Sequence, residues 1–160
     1  MKRINIFEDD LTKADVSHLN ARRGARAILQ YNDQFVIIYN KNWNLYTLPG
    51  GGINDDESPE AALQREVLEE TGFKVKNIKK TVILTEHFRD SIWEHHFFLC
   101  EADGDPQKPQ HTKEERAAGM EVHIVPLETV LSHFSEHQTD HHHADAIYQR
   151  EFLGFINSLA

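Results

Sequence analysis

Leu48-Pro49-Gly50-Gly51-Gly52-Ile53-Asn54-Asp55-Asp56-Glu57-Ser58-Pro59-Glu60-Ala61-Ala62-Leu63-Gln64-Arg65-Glu66-Val67-Leu68-Glu69-Glu70-Thr71-Gly72-Phe73 passes from a glycine loop into a helix whose two ends are both written in the sequence. The Ser58 hydroxyl can cap free amides, and Pro59 suits the first helical position because its missing N–H has no partner there anyway. Gly72 can take the left-handed conformation that stops a helix. A helix over 59–71 is therefore predicted, preceded by a loop that opens at Pro49 and runs to Glu57.

On that helix Glu66, Glu69 and Glu70 stand at i, i+3 and i+4, so the helical period gathers three carboxylates onto one face. Like charges at such spacing destabilise a helix by about 0.2–0.5 kcal/mol even when exposed. Leu63 and Val67 border the same face and add desolvation. A cation should compensate, and hard divalent ions such as magnesium sit between a few carboxylates and a substrate phosphate. Arg65, four positions before Glu69, can hold that glutamate by a charge-assisted hydrogen bond. Residues without Cβ at Gly50 and Gly51 let the backbone approach a metal or phosphate closely. Taken singly, the glutamates read as a solvated face and the glycines as a plain turn; their juxtaposition reads as a site.

Gly51, five residues, Glu57, seven residues and then Arg65-Glu66-Val67-Leu68-Glu69-Glu70-Thr71-Gly72-Phe73 resemble the Nudix box of Nudix hydrolases. Every charged and glycine position of that pattern is filled; the one departure is Phe73, where the pattern carries an aliphatic residue. Leu48-Pro49-Gly50-Gly51 also matches what commonly precedes the box. The resemblance implies an α/β fold, a Nudix-type α/β/α sandwich with a mixed β-sheet between helices, filled by one domain over residues 1–160. It further implies hydrolysis of a nucleoside diphosphate linked to a group X, by water attack on phosphorus, with Mg2+ required and Mn2+ an alternative. Glu66, Glu69, Glu70 and the Gly51 carbonyl would be metal ligands, Arg65 would orient the glutamates and Glu57 would support the loop. Glu66 could equally be the general base. Members of the family often add an acidic residue from a loop outside the box; Glu114, Glu115 and Glu121 are available, and Glu115 is the choice, against the ordinary reading of Lys113-Glu114-Glu115-Arg116 as a solvated charge run.

Outside the box, 25–30 and 35–39 are β-prone and flank Tyr31-Asn32-Asp33-Gln34, a hairpin turn. Strands are also predicted at 43–48, 82–84, 97–100 and 121–125, a long loop at 102–119, and helices at 127–138 and 143–158. There is no internal repeat.

Seventeen basic against 26 acidic residues leave a net charge of -9, which argues against nucleic acid or an anionic membrane as a partner. The one cysteine, Cys100, sits in an apolar run and reads as a buried thiol in a reducing compartment. The acidic turn after Ile4-Asn5-Ile6-Phe7 excludes a secretory signal, and no apolar stretch is long enough to span a bilayer, so a cytoplasmic protein is expected. A single chain and a homodimer are both open.

Arg22, Arg23 and Arg26 form the dense basic cluster, and guanidinium forks suit phosphate oxygens; Arg23 and Arg26 are the substrate-binding candidates beside Gly50 and Gly51. Trp43 and Tyr46 could stack on a base, though aromatic residues on strands commonly belong to the core. The residues His87-Phe88-Arg89-Asp90-Ser91 lack the proline or tyrosine that would mark an ADP-ribose or dinucleoside polyphosphate subclass. Eleven histidines support a rival reading, since His133, His137 and His141 fall four apart with His142 and His143 adjacent, a zinc, nickel or copper pattern if one helix carries them. Gln138-Thr139-Asp140 reads as a turn that would break it. His95 and His96 alternate to opposite faces of a strand and read as structural or exposed. Two other classes thus stand beside the enzyme: a nucleotide-sensing domain without catalysis, and a transition-metal binder.

Overall fold

Alternation along one strand sorts the side chains of this protein between two helical layers. In the computed structural model, which describes residues 1–136, 141 and 143–160, that strand is β2 (Ala21–Tyr31), and its Ala25, Ala27 and Leu29 meet Ala62, Leu63 and Val67 of α1 (Pro59–Thr71). Ile28 points the other way, into a core with Val130 and Phe134 of α3 (Leu127–Ser135) and Tyr148 and Phe155 of α4 (Ala144–Leu159). The period-2 geometry of a strand makes this division, and burial on both faces explains the apolar run Ala27-Ile28-Leu29 in β2.

The remaining elements are β1 (Lys2–Phe7), β3 (Gln34–Asn40), β4 (Leu45–Thr47), β5 (Gly50–Gly52), β6 (Val75–His87), β7 (Ile92–Ala102), α2 (Lys113–Ala117) and β8 (Met120–Val125). The eight strands form a mixed sheet in the order β1-β6-β7-β2-β3-β4, with β5 added to β2 and β8 to β3. β1 runs parallel to β6 and β2 parallel to β7, while the other pairs are antiparallel. The architecture is an α/β/α sandwich.

Where β2 and β3 part, the chain inserts its glycine loop. β3 pairs with β2 only over Gln34–Val36 and then with β4, while the start of β2 pairs with β5, Gly24 facing Gly52 and Arg26 facing Gly50. Between β4 and β5 the Pro49 carbonyl accepts from the Ala27 amide at 2.9 Å. The opening in the sheet thus delivers Gly50–Gly52 against the C-terminal half of α1.

Several sequence expectations change. The hairpin turn is as expected, with Asn32 and Asp33 both at positive φ, but the strand expected over 43–48 shrinks to Leu45–Thr47, because a single 3-10 turn over Lys41–Trp43 ends in left-handed Asn44. β6 and β7 are far longer than 82–84 and 97–100, and β1 was not expected. The expected loop over 102–119 holds α2, and of the helix expected over 127–138 the described part ends at Ser135. Cys100 is a buried free thiol, as expected. Among the described residues no helix is long and apolar enough to cross a membrane.

Candidate active site

The helix that carries the glutamates is fixed at both ends by the residues expected to do so. Ser58 Oγ accepts from the Ala61 amide at 3.1 Å, and Gly72, at φ 81°, returns its amide to the Leu68 carbonyl at 2.9 Å. A side chain at 72 would also collide with the Gln107 carbonyl, which lies 1.8 Å from where its Cβ would stand.

Arg65 is the hub of the site. Its Nη2 donates to Glu57 Oε1 at 2.6 Å and to the Gly52 carbonyl at 3.1 Å, and its Nε donates to Glu57 Oε2 at 3.1 Å. On the other side of the fork Nη1 donates to Glu66 Oε1 at 2.8 Å and stands 3.6 Å from Glu69 Oε2. One planar guanidinium therefore ties the glycine loop to two of the three glutamates, a geometry that a point-like ammonium could not reproduce. The pairing holds the Glu57 carboxyl below the usual carboxylate range, chiefly through the Arg65 hydrogen bonds.

Glu70 is turned away from Arg65 and accepts from the Gly50 amide at 2.7 Å. It is nearly buried, and desolvation pushes its carboxyl up to about 8. Burial also raises Glu66 above its ordinary value, against the opposing pull of Arg65. Gly51 lies directly against Glu66, whose carboxyl carbon is 2.5 Å from where a Cβ at 51 would stand, so glycine is required there by close approach. Among the described residues no three carboxylate, imidazole or thiolate groups already enclose a point in space. Arg65 and the Gly50 amide each engage one carboxylate oxygen, Glu66 Oε1 and Glu70 Oε1.

The loop after β7 contributes the rest. Glu115 is half-buried, in contrast to exposed Glu114 and Glu121, and its charge helps to raise both Glu66 and Glu70. It is placed by a capping box in which Thr112 Oγ1 accepts from the Glu115 amide at 3.1 Å while Glu115 Oε1 accepts from the Thr112 amide at 2.8 Å. Sequence reasoning overlooked His111, whose Nε2–H donates to the Glu70 carbonyl at 2.8 Å. The free carbonyls at the end of any helix could have prompted a search for such a donor.

The three arginines do not act as one cluster, because strand alternation separates them. Arg22 and Arg26 face the α4 side, Arg22 lying over the Trp93 ring at 5.4 Å, whereas half-buried Arg23 lies on the α1 face. Arg26 lines a cavity of about 1000 Å³ together with Glu86, Trp93, His95 and Arg150. At the floor of that cavity His95 Nε2 and Glu86 Oε1 are 2.8 Å apart, and Arg150 Nη2 donates at 2.6 Å to fully buried Glu151. Arg26 stands 4.0 Å from the same Glu151 oxygen. Burial pulls Arg26 below the ordinary guanidinium range, reinforced by neighbouring Arg150, and drives His95 well below the usual imidazole range. This network too was missed, although Glu86 shares its strand face with Val82 and Leu84, and Glu151 falls four residues from both Ile147 and Phe155.

Other expectations are corrected. Tyr46 stacks on His133 at 3.7 Å and tilts against Tyr39 at 4.5 Å, so its ring packs within the protein rather than standing open for a substrate base. Trp43 is on the surface and not in the core. His95 and His96 face opposite sides as expected, and both are buried, which is the structural and not the exposed reading, with His96 beside Glu94 at 2.7 Å. Of the histidine run, His137 and His142 lie outside the described residues, as does Gln138-Thr139-Asp140. His133 stacks on Tyr46, and His141 meets the edge of Trp43 at 5.1 Å.

Comparison with known proteins agrees with this geometry. The sequence matches the NUDIX domain over residues 21–149. It is 36% identical over 78 residues to a Bacillus subtilis (strain 168) protein described as "Putative 8-oxo-dGTP diphosphatase", a match covering 48% of this chain and 50% of that one, so the chain spans about half the length of this curated relative. A NUDIX hydrolase from Nitrosomonas europaea superposes with a TM-score of 0.64 at 18% identity, over 87% of this chain and 92% of the other. An ADP-ribose pyrophosphatase from Streptococcus suis 89-1591 does so with a TM-score of 0.57 at 18% identity, over 84% and 89%. With the domain match spanning most of its length and the glutamate helix seated against its glycine loop, this chain belongs to the NUDIX family.

Proposed function

We propose that the protein is a metal-dependent hydrolase that cleaves the diphosphate linkage of a nucleoside diphosphate derivative, with residues 1–160 acting as one catalytic domain. The observation that carries the reading is the Arg65 fork, which joins Glu57 and the Gly52 carbonyl to Glu66 and Glu69, while Glu70 rests on the Gly50 amide.

The donor set fits a hard divalent cation, since it consists of carboxylates and a backbone carbonyl. Glu70, which burial raises to about 8 in the protein alone, would be returned to the ionised form by a neighbouring positive charge. Glu66, Glu69, Glu70 and the Gly51 carbonyl would hold Mg2+, or Mn2+ in its place. Bound there, a divalent cation would neutralise diphosphate oxygens and make water more acidic. The chain's own contribution is to position and to accept a proton. Arg65 keeps Glu66 and Glu69 oriented, and Glu66 Oε2, which takes no hydrogen bond from the described residues, or the carboxylate of Glu115, receives the proton of the attacking water. Half-buried Arg23, on the α1 face of β2, supplies positive charge for the substrate phosphates, whereas Arg26 lies on the opposite face beside Glu151 and acts on the site only through its charge, which lowers Glu70 against the larger effect of burial. A reducing cytoplasmic compartment suits the buried thiol of Cys100.

The test is a panel of nucleoside diphosphate derivatives, including 8-oxo-dGTP and ADP-ribose, incubated with protein and Mg2+ and followed by detection of every phosphorylated product. Cleavage of any member between phosphorus atoms, abolished by chelation of the cation, supports the proposal. Tight nucleotide binding with no cleavage across the panel would transfer the protein to the class of nucleotide sensors.

A further inference from the structure

The carboxyl end of α1 is closed by the loop over residues 107–111. A helix leaves its last carbonyls without partners. Here the Gln110 amide donates to the Glu69 carbonyl at 2.7 Å, His111 Nε2–H to the Glu70 carbonyl at 2.8 Å and the Gln107 amide to the Gly72 carbonyl at 2.8 Å. The first two carbonyls belong to the residues whose carboxylates are assigned to the cation, so any rotation of these peptide units would re-aim the side chains. His111 is the one side chain among the three donors. Its own carbonyl accepts from Arg116 Nη1 at 2.9 Å, and the next residue, Thr112, begins the capping box that carries Glu115.

We propose that His111 is a positioning residue for the carboxylate cluster, latching the loop, and with it Glu115, onto the last turn of α1. The inference rests on the divalent-cation reading of the preceding subsection. The tautomer follows from the geometry, because a carbonyl only accepts and Nε2 must therefore carry the proton. Elsewhere the loop is held mainly through its backbone, the Asp103 amide donating to the Lys74 carbonyl at 2.7 Å and the Ala118 carbonyl accepting from the Asn42 amide at 3.2 Å. Tyr31 bonds to Asp105 at 2.7 Å, but residues 103–108 are all exposed, and α2 itself has no buried side chain. Without the latch Glu115 loses its fixed distance from Glu66 and Glu70, while the diphosphate region around β2 and the glycine loop keeps its shape. The cost should fall on cation affinity and kcat rather than on KM.

Mn2+ binding to the protein without substrate, measured by calorimetry, separates the possibilities. His111→Ala should weaken Mn2+ about tenfold or more, the usual scale for a residue that orients ligands without touching the ion, and should lower kcat with KM nearly unchanged. His111→Gln, whose amide can reach the same carbonyl, should recover most of both, and Tyr31→Phe, which frees the far end of the loop only, should leave Mn2+ affinity as it was. Wild-type Mn2+ affinity in His111→Ala, or an equal loss in Tyr31→Phe, would overturn the latch. If His111→Ala does not fold, comparison of His111→Gln with the shorter His111→Asn decides it: the latch requires Gln to bind the tighter, and equal affinities contradict it. Failure of wild-type protein to bind Mn2+ at all would instead remove the cation reading on which the latch depends.

Discussion

Arg65 does two things that no lysine could do together. Its fork clamps Glu57 and the glycine loop on one side and Glu66 on the other, so Arg65→Lys should lower turnover by about ten- to a hundredfold while shifting the melting temperature little, since the side chain is part-exposed. Parallel rate and melting measurements check this; a large loss of stability with normal turnover of the folded fraction would contradict it. His95 gives a pH effect of definite sign. The imidazole is held well below its usual range by burial, then by Arg150, Arg26 and His96, so the native protein does not take up a proton that the unfolded chain binds as pH falls below about 6.5. Stability is therefore lost toward acid. Glu86, which burial raises above its ordinary value, opposes that loss, Glu151 acting with burial and Arg150 and Arg26 against it. His95→Gln retains a donor for Glu86 without titrating, and its melting temperature should fall less between pH 7 and 5 than that of the wild type. Equal slopes would show that His95 does not set the acid limit.

Helix α1 shows which elements can be read from a sequence. Its start, end and charged face follow from local chemistry, and its boundaries are those the sequence predicts, Pro59–Thr71. Ser58→Ala should cost about 1 kcal/mol by losing the cap, and Gly72→Ala should cost more, because a side chain there must adopt a positive φ and displace the Gln107 carbonyl. Chemical denaturation of both variants measures the order, and a Gly72→Ala variant as stable as the wild type would contradict the close approach. β6 was legible only over Val82–Leu84. Lys76, Lys79 and Lys80 interrupt its alternation, and the register with β7 shifts between Lys76 and Lys79 and again between Lys80 and Val82, so no period-2 pattern survives in its first half. β1 is hard to read because its pairing with β6 joins residues far apart in the chain, and its alternation is only two residues long, Ile4 and Ile6, between basic Lys2-Arg3 and the acidic residues after Phe7. Of the candidate site, the gathering of Glu66, Glu69 and Glu70 with Arg65 on α1 follows from their spacing; the grip of His111 on Glu70 does not, since it depends on how a polar loop folds back.

At the scale of the whole molecule the sheet separates two charged regions. The glutamate helix lies over one face, and the network of half-buried Arg26 and Arg150 with buried Glu86, His95 and Glu151 lies on the other beneath α4, with Arg26 feeling the charges of both Glu70 and Glu86. α4 can come this close because Gly154 has no side chain; a Cβ there would lie 2.1 Å from the Phe97 ring. Gly154→Ala should therefore destabilise by about 1–3 kcal/mol through overpacking, even though alanine is the better helix former. An unchanged or raised melting temperature would show that α4 can slide without loss.

If the glutamates of α1 serve a cation and not the fold, the initial rate of diphosphate cleavage by Glu70→Gln in Mg2+ reveals it. The substitution keeps an oxygen for the Gly50 amide and removes a charge that burial disfavours. The rate should be lower by orders of magnitude, with a melting temperature equal to or above that of the wild type; near-normal turnover by folded Glu70→Gln protein would overturn the assignment of these glutamates to a cation.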